Sequence, residues 1–174
     1  IGFKEIWEIE DKNHEEGMVM HTAGWPLDNS TYGGSFIYHA ENKQVFLGYV
    51  LGFDYKNPYL SPYDEFQRFK TQPSSKKIIE GGKRITYGAR ALIEGGLQSL
   101  PQMFMPGALL VGCDAGTLNM PKIKGSHTAM KSAIIDDETI FENIKENKNL
   151  SAYEEKFKKS WVYEELHAAR NVKP

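Results

Sequence analysis

Residues 35–55, SFIYHAENKQVFLGYVLGFDY, constrain the fold more than any other stretch. SFIYHA and QVFLGYVLGFDY are rich in aromatic and β-branched residues, the composition of strands. AENK between them reads as a hairpin turn, which sets the two strands antiparallel. Upstream, GFKEIWEI alternates apolar and polar residues, DKNHEEG is a turn, and MVMHTAGWP is a short strand ended by Pro26. KRITYGARAL adds a further strand-like segment. Strands that follow one another in this way predict an α+β chain: an antiparallel sheet with packed helices, not an alternating βα fold.

The helices announce themselves by their boundaries. In NPYLSPYDEFQRFKTQP, Ser61 is placed to cap a helix whose first residue is Pro62, and Pro73 follows its stop. SSKKIIEGG predicts a shorter helix ended by Gly81 and Gly82. PGALLVGC reads as a compact buried strand. From Ser126 onward, Met130, Ala133, Ile134, Asp137, Ile140, Phe141 and Ile144 follow helical spacing, with Asp137 interrupting an apolar stripe. KENKNLS is a polar linker, and SAYEEKFKKSWVYEELHAARN is expected to form one final helix. Its Tyr153, Phe157 and Trp161 lie four apart, a spacing that fits core packing or, less commonly, a membrane surface or partner.

Composition removes several classes of function. The 174 residues are 40% apolar and 25% charged, a globular balance. A net charge of −2 argues against broad nucleic-acid binding. With the single cysteine, Cys113, the chain can build neither an internal disulfide nor a cysteine-ligated cluster. Its five histidines form no metal-ligand spacing. No apolar run is long enough to span a bilayer. The first residues contain no starting Met and no leader pattern, so the chain is expected to be a segment of a longer protein.

Two glycine-rich stretches could hold a ligand. In VGCDAGTLNMPKIKGSHTAMKSA, a strand bends through Gly112, Gly116 and Gly125 into a helix. A helix start offers unpaired N–H groups and a positive dipole end, which suit an anion or an acceptor-edged ring, and glycine lets a flat ligand approach. A tight strand–helix connection accounts equally for the same glycines. In STYGGSF, Gly33 and Gly34 either present backbone groups to a ligand or form a bulge where a strand enters the sheet. EGGKRITYGARALIEGG carries Lys83, Arg84 and Arg90. Arg90 could face an anion, although a solvated sheet edge is the simpler reading. No nucleophile elbow or nucleophile–base pair is present, and the dinucleotide fingerprint Gly-x-Gly-x-x-Gly is absent.

Taken together, GWPLDNSTYGGSF, DYKNPYLSPYDEFQRFK, EGGKRITYGARAL, GCDAGTLNMPKIKGSHTAMKSA and KSWVYEELHAARNVKP resemble the electron transfer flavoprotein–ubiquinone oxidoreductase family. The resemblance implies an enzyme taking electrons from reduced electron transfer flavoprotein, itself charged by acyl-CoA and amino-acid dehydrogenases, and passing them to ubiquinone. It implies FAD and one [4Fe-4S] cluster, and a monotopic location on the matrix face of the mitochondrial inner membrane or on a bacterial membrane. Gly33 and Gly34 match the family's quinone-contacting glycines. Gly112, Asp114, Gly116, Asn119, Gly125 and Thr128 fall in the segment resembling its second FAD-contacting region. There the helix start near Gly125 would face the pyrimidine edge of the flavin.

Two positions depart from the pattern. Cys113 stands where related flavoproteins carry the Asp that binds the ribityl chain, with Asp114 following, and Ile93 is apolar where a polar residue is expected. The family's N-terminal ADP-binding motif and its cluster cysteines are not in the chain, so the expected organisation is a ubiquinone-binding region over 1–100, a flavin segment over 101–150 and a C-terminal helix over 151–174. Two alternatives remain: a flavin-dependent reductase of an apolar or polyprenyl substrate, and a non-catalytic quinone- or lipid-binding module.

Overall fold

The computed structural model describes residues 1–146 and 149–172. The chain divides into two compact units, Ile1–Ala91 and Leu92–Pro174. In the first, β1 (Gly2–Glu8), β2 (Val19–Thr22), β3 (Gly33–His39), β4 (Gln44–Leu51) and β5 (Lys83–Arg90) form one sheet, in the order β2-β3-β4-β1-β5. Every pairing is antiparallel. The β3–β4 hairpin turns where AENK predicts it, with Asn42 and Lys43 at φ of 57° and 59°. That pair of left-handed residues gives the turn the twist of its flanking strands.

One face of the sheet is covered by α1 (Pro62–Thr71) and α2 (Pro73–Ile79). Ser61 caps α1 by accepting the Asp64 N–H at 3.3 Å. Ile37, Val45, Leu47, Tyr49 and Leu51 from the sheet pack with Phe66, Phe69 and Ile78 from the helices. Within this apolar layer lies a carboxylate. Glu5, only 2% exposed, accepts hydrogen bonds from Trp7 Nε1 at 2.8 Å, Lys70 Nζ at 2.9 and 3.0 Å, and Arg84 Nη1 at 3.2 Å. The same bond to Glu5 raises the Arg84 pKa above its ordinary value. β1, α1 and β5 thus meet at one buried charge, which demands partners on all sides.

The second unit is mainly helical. A hairpin of two-residue strands, β6 (Phe104–Met105) and β7 (Ala108–Leu109), precedes α3 (Gly112–Ala115), α4 (Ser126–Glu146), α5 (Ala152–Lys158) and α6 (Trp161–Ala169). Its core joins Met103, Ala115, Ile135, Tyr153, Phe157, Val162 and Leu166.

Two expectations are corrected here. PGALLVGC is not one buried strand: Gly107 turns it at φ 82°, only Ala108 and Leu109 pair, and Leu110 is exposed. The C-terminal segment is two helices, not one. Ser160 takes an extended conformation between them, and its hydroxyl donates to the Phe157 carbonyl, closing α5. Tyr153 and Phe157 are buried while Trp161, beyond the break, is 43% exposed. In α4 the apolar stripe faces outward. Met130, Ile134, Phe141 and Ile144 are exposed, and Thr128, Ser132, Ile135 and Thr139 form the buried face. Of the linker expected over KENKNLS, Asn147 and Lys148 lie outside the described residues.

Candidate functional site

Gly33 and Gly34 open β3 at the end of the sheet where β2 stops. Both glycines are required by their surroundings. A methyl on Gly33 would fall on the Val50 carbonyl oxygen and 2.6 Å from Leu27 Cδ1, and one on Gly34 would fall on the Thr22 carbonyl oxygen. Neither has a left-handed φ, so the cause is close approach of neighbouring strands. The direction of their backbone groups follows from the ladder. Gly52 N–H donates to Tyr32 C=O at 2.9 Å and Ala40 N–H to Gln44 C=O at 2.8 Å, so even-numbered residues of β3 face β4. His39 N–H donates to Met18 C=O at 2.9 Å, so odd-numbered residues face β2. Gly34 is therefore committed to Val50. Gly33 points its N–H and C=O past Thr22, the last residue of β2.

Beyond Thr22 the chain leaves the sheet. Gly24, at φ 88°, gives its carbonyl to the Leu27 N–H at 3.0 Å. Exposed aromatic residues flank this end: Trp25 after β2, Tyr32 before β3 and Phe53 after β4. The Arg68 guanidinium lies 5.8 Å from the Trp25 ring centre. A groove runs from Thr22, Ala23 and Trp25 to Phe69 and Gln72. Gly33 and Gly34 are not among the residues that line this groove, but backbone polar groups at a sheet end flanked by exposed aromatic rings suit a flat, mostly apolar molecule with a carbonyl.

In the second unit, Gly112, Asp114, Gly116, Asn119, Gly125 and Thr128 all lie between the start of α3 and the first turn of α4. Their chemistry differs. Gly112 (φ 66°) donates its N–H to Ser132 Oγ at 2.9 Å, and Gly116 (φ 94°) ends α3 in the left-handed region. These two glycines are explained by the turn itself. Thr128 is buried and its hydroxyl donates to the Gly125 carbonyl at 2.9 Å. Asn119 is also buried: its Oδ1 accepts the Lys122 N–H at 3.2 Å and its Nδ2 donates to Glu165 at 2.8 Å. Asp114 is exposed. At Gly125 the atoms nearest to an added methyl are those of Leu118, at 3.4 Å, an ordinary contact, and its φ is not left-handed. Packing within the chain therefore does not demand glycine at this position. Ser126 beside it is exposed, so the open first turn of α4 reaches the surface.

The cluster that sequence reasoning missed centres on Glu165 in α6. Its Oε1 accepts from Asn119 Nδ2 and His127 Nε2, both at 2.8 Å, and its Oε2 from Lys122 Nζ at 2.9 Å. Burial acts to raise its pKa. The bonds from His127, Lys122 and Asn119 outweigh that and hold it at about 2. Trp161, one turn earlier on α6, stacks on the His127 ring with centroids 5.7 Å apart and planes 9° from parallel. The residues are 46 to 34 positions apart along the chain, and only the isolated spacing of Trp161 and Glu165 hinted at a shared helix face.

β5 presents all eight residues to solvent as the sheet's edge, so Arg90 is a charged edge residue of the kind that blunts strand-to-strand association. Among the described residues no group of three or more His, Cys, Asp or Glu could hold a metal ion. Likewise, no helix among them is long and apolar enough to cross a membrane.

Against known proteins, the family described as "ETF-QO, ubiquinone-binding" matches residues 1–92, more than half of the chain and all of the sheet unit. The chain belongs to the electron transfer flavoprotein–ubiquinone oxidoreductase family. Curated relatives of that name are similar throughout. The Bos taurus mitochondrial protein is 55% identical over 185 residues, covering 100% of this chain and 30% of its own. The Pseudomonas aeruginosa protein is 54% identical over 175 residues, covering 98% of this chain and 32% of its own. The mitochondrial protein of Oryza sativa subsp. japonica is 52% identical over 174 residues, covering 100% and 30%. The chain thus spans about a third of the length of these relatives. In fold it is similar to a geranylgeranyl bacteriochlorophyll reductase-like protein from Thermoplasma acidophilum. The TM-score is 0.58 at 16% identity, over 97% of this chain and 42% of that one.

Proposed function

We propose that this chain is the quinone-binding portion, with one flavin-facing segment, of an oxidoreductase that carries electrons from reduced electron transfer flavoprotein to ubiquinone. The observation that carries the reading is Gly33. Its backbone N–H and C=O point past the end of β2, inside the matched segment and beside Trp25, Tyr32 and Phe53. The N–H donates to a quinone carbonyl, and the absence of a side chain lets the ring come close. The exposed aromatic rim favours the membrane–water interface, from which a long-tailed quinone must enter. The mitochondrial and bacterial names of the relatives support a membrane of either origin.

The second unit fits an FAD segment at one place, the α4 start. Glycine at 125 keeps side-chain atoms off the turn, and the N–H groups of the first turn offer donors to the acceptor edge of a flat ring. Asp114, exposed on α3, is the residue available to a ribityl hydroxyl. Bound there, FAD would supply the electron-carrying ring, and the positive end of α4 would stabilise negative charge at its edge. Cys113, the single cysteine, does not make a [4Fe-4S] site, so any cluster ligands belong to other parts of the polypeptide.

Selective 15N-glycine labelling tests the quinone assignment without altering the strand. A short-tailed ubiquinone added in detergent should shift the Gly33 amide resonance more than that of Gly34 or Gly48. Saturable binding that leaves Gly33 unmoved would place the quinone elsewhere and defeat the assignment.

A further inference from the structure

We propose that Glu165, braced by Trp161, is a positioning residue that clamps the start of α4 and the preceding turn in the orientation FAD requires. The inference rests on the reading of that helix start as flavin-facing. Glu165 binds one donor from each part of the segment: Asn119 at its beginning, Lys122 in its middle, and His127 in the first turn of α4. The Asn119 turn is closed on itself by reciprocal backbone bonds with Lys124, at 2.9 and 3.2 Å, so holding Asn119 holds the whole turn up to Gly125. His127 is fixed twice, by the carboxylate at its Nε2 and by the indole of Trp161 against its face. An imidazole held in both ways cannot rotate without losing one contact, and it sits two residues after Gly125.

The clamp lies in α6, far along the chain from the segment it holds, and its contacts go to Asn119, Lys122 and His127. Its effect on a flavin therefore acts through the helix start. Donors aimed at a ring are useful only when they are already in position, because a loose segment must be ordered at each binding event. A displaced dipole end also stabilises charge on the ring less well.

The test uses the full-length holoenzyme. In E165A, the FAD dissociation constant is expected to rise roughly tenfold, the loss typical of a hydrogen bond to a charged group. The midpoint potential of the flavin that remains should fall, and amide exchange over residues 119–128 should quicken. E165Q, which keeps one acceptor oxygen, should recover part of each effect. H127Q gives a second route should E165A not fold, because the glutamine amide can donate to Glu165 but cannot stack on Trp161. It should quicken exchange at the α4 start and lower the potential to a lesser degree.

G125A separates the clamp from the reading on which it rests. Its methyl would sit at ordinary contact distance from Leu118, 3.4 Å, which the protein's own packing tolerates, whereas a ring lying against this turn would meet it. If G125A weakens FAD binding while E165A and H127Q bind FAD and titrate like the wild type, the clamp is refuted and the flavin-facing reading stands. If G125A binds FAD unchanged, the flavin does not lie on this segment and the clamp's role falls with it.

Discussion

At the scale of the residue, the glycine pair shows how a proposed binding feature and a packing requirement coincide. A substitution at Gly33 or Gly34 places its first side-chain carbon on a backbone oxygen of the next strand, so the sheet must give way before any ligand is considered. Gly34→Ala is expected to destabilise the chain by about 2 kcal/mol, read from the denaturant midpoint. A loss of the proposed quinone binding in that variant would then say little about contact. Glu5 supplies a second prediction. Glu5→Leu strands Lys70, whose side chain is only 11% exposed, and should cost about 3 kcal/mol. Adding Lys70→Met should restore more than half, and a double variant no more stable than Glu5→Leu would show that the charge pair is not the cause. Glu165 makes the pH dependence explicit. Its folded value, about 2, lies below the ordinary 4.5, so its contribution to stability is complete above about pH 4.5 and is lost as pH falls toward 2. Relative to wild type, E165Q should flatten the acid limb of a stability–pH curve over that window.

At the scale of the element, boundaries written in local chemistry were legible in the sequence. Ser61–Pro62 starts α1 and the AENK turn joins β3 to β4, whereas β2 stops at Thr22, four residues before the Pro26 expected to end it, because the chain turns away at Gly24. Which face of α4 is buried was not legible. The apolar stripe lies outward, and the unit packs on Thr128, Ser132, Ile135 and Thr139. Their hydroxyls become compatible with burial by bonding to the backbone: Thr128 to Gly125, Ser132 to Ala129 and Thr139 to Ile135. Short side chains also let α3 approach, with Ser132 accepting the Gly112 N–H. Two neighbouring isoleucines test this burial pattern. Ile135→Ala should cost about 2 kcal/mol or more, and Ile134→Ala should change the stability of this chain by about 0.5 kcal/mol or less. Equal losses at the two positions in urea unfolding would contradict the burial pattern. The break between α5 and α6 escaped detection for a related reason: Ser160 ends a helix by a hydroxyl–carbonyl bond that no proline or glycine advertises.

At the scale of the whole molecule, the proposed quinone and flavin contacts fall in different units, Ile1–Ala91 and Leu92–Pro174. A chain ending at residue 91 should therefore bind a short-tailed ubiquinone with an affinity within a few-fold of the 174-residue chain. A loss of binding, in a shortened chain whose far-ultraviolet circular dichroism still reports the sheet, would mean that the second unit contributes to the quinone site. The amino-acid sequence determined by itself what depends on neighbours along the chain: the antiparallel hairpin, the capped helices, the glycine-rich turns, and through its motifs the family. Tertiary structure decided what depends on partners distant in sequence. It selected Gly33 over Gly34 as the residue whose backbone faces outward, because only the strand register says which side each one serves. It turned the hydroxyl face of α4 inward, and it gathered Asn119, Lys122 and His127 around Glu165. Alternation and helical periodicity report which residues share a face. They carry no record of what that face will meet, since that is set by contacts formed only when the chain closes on itself.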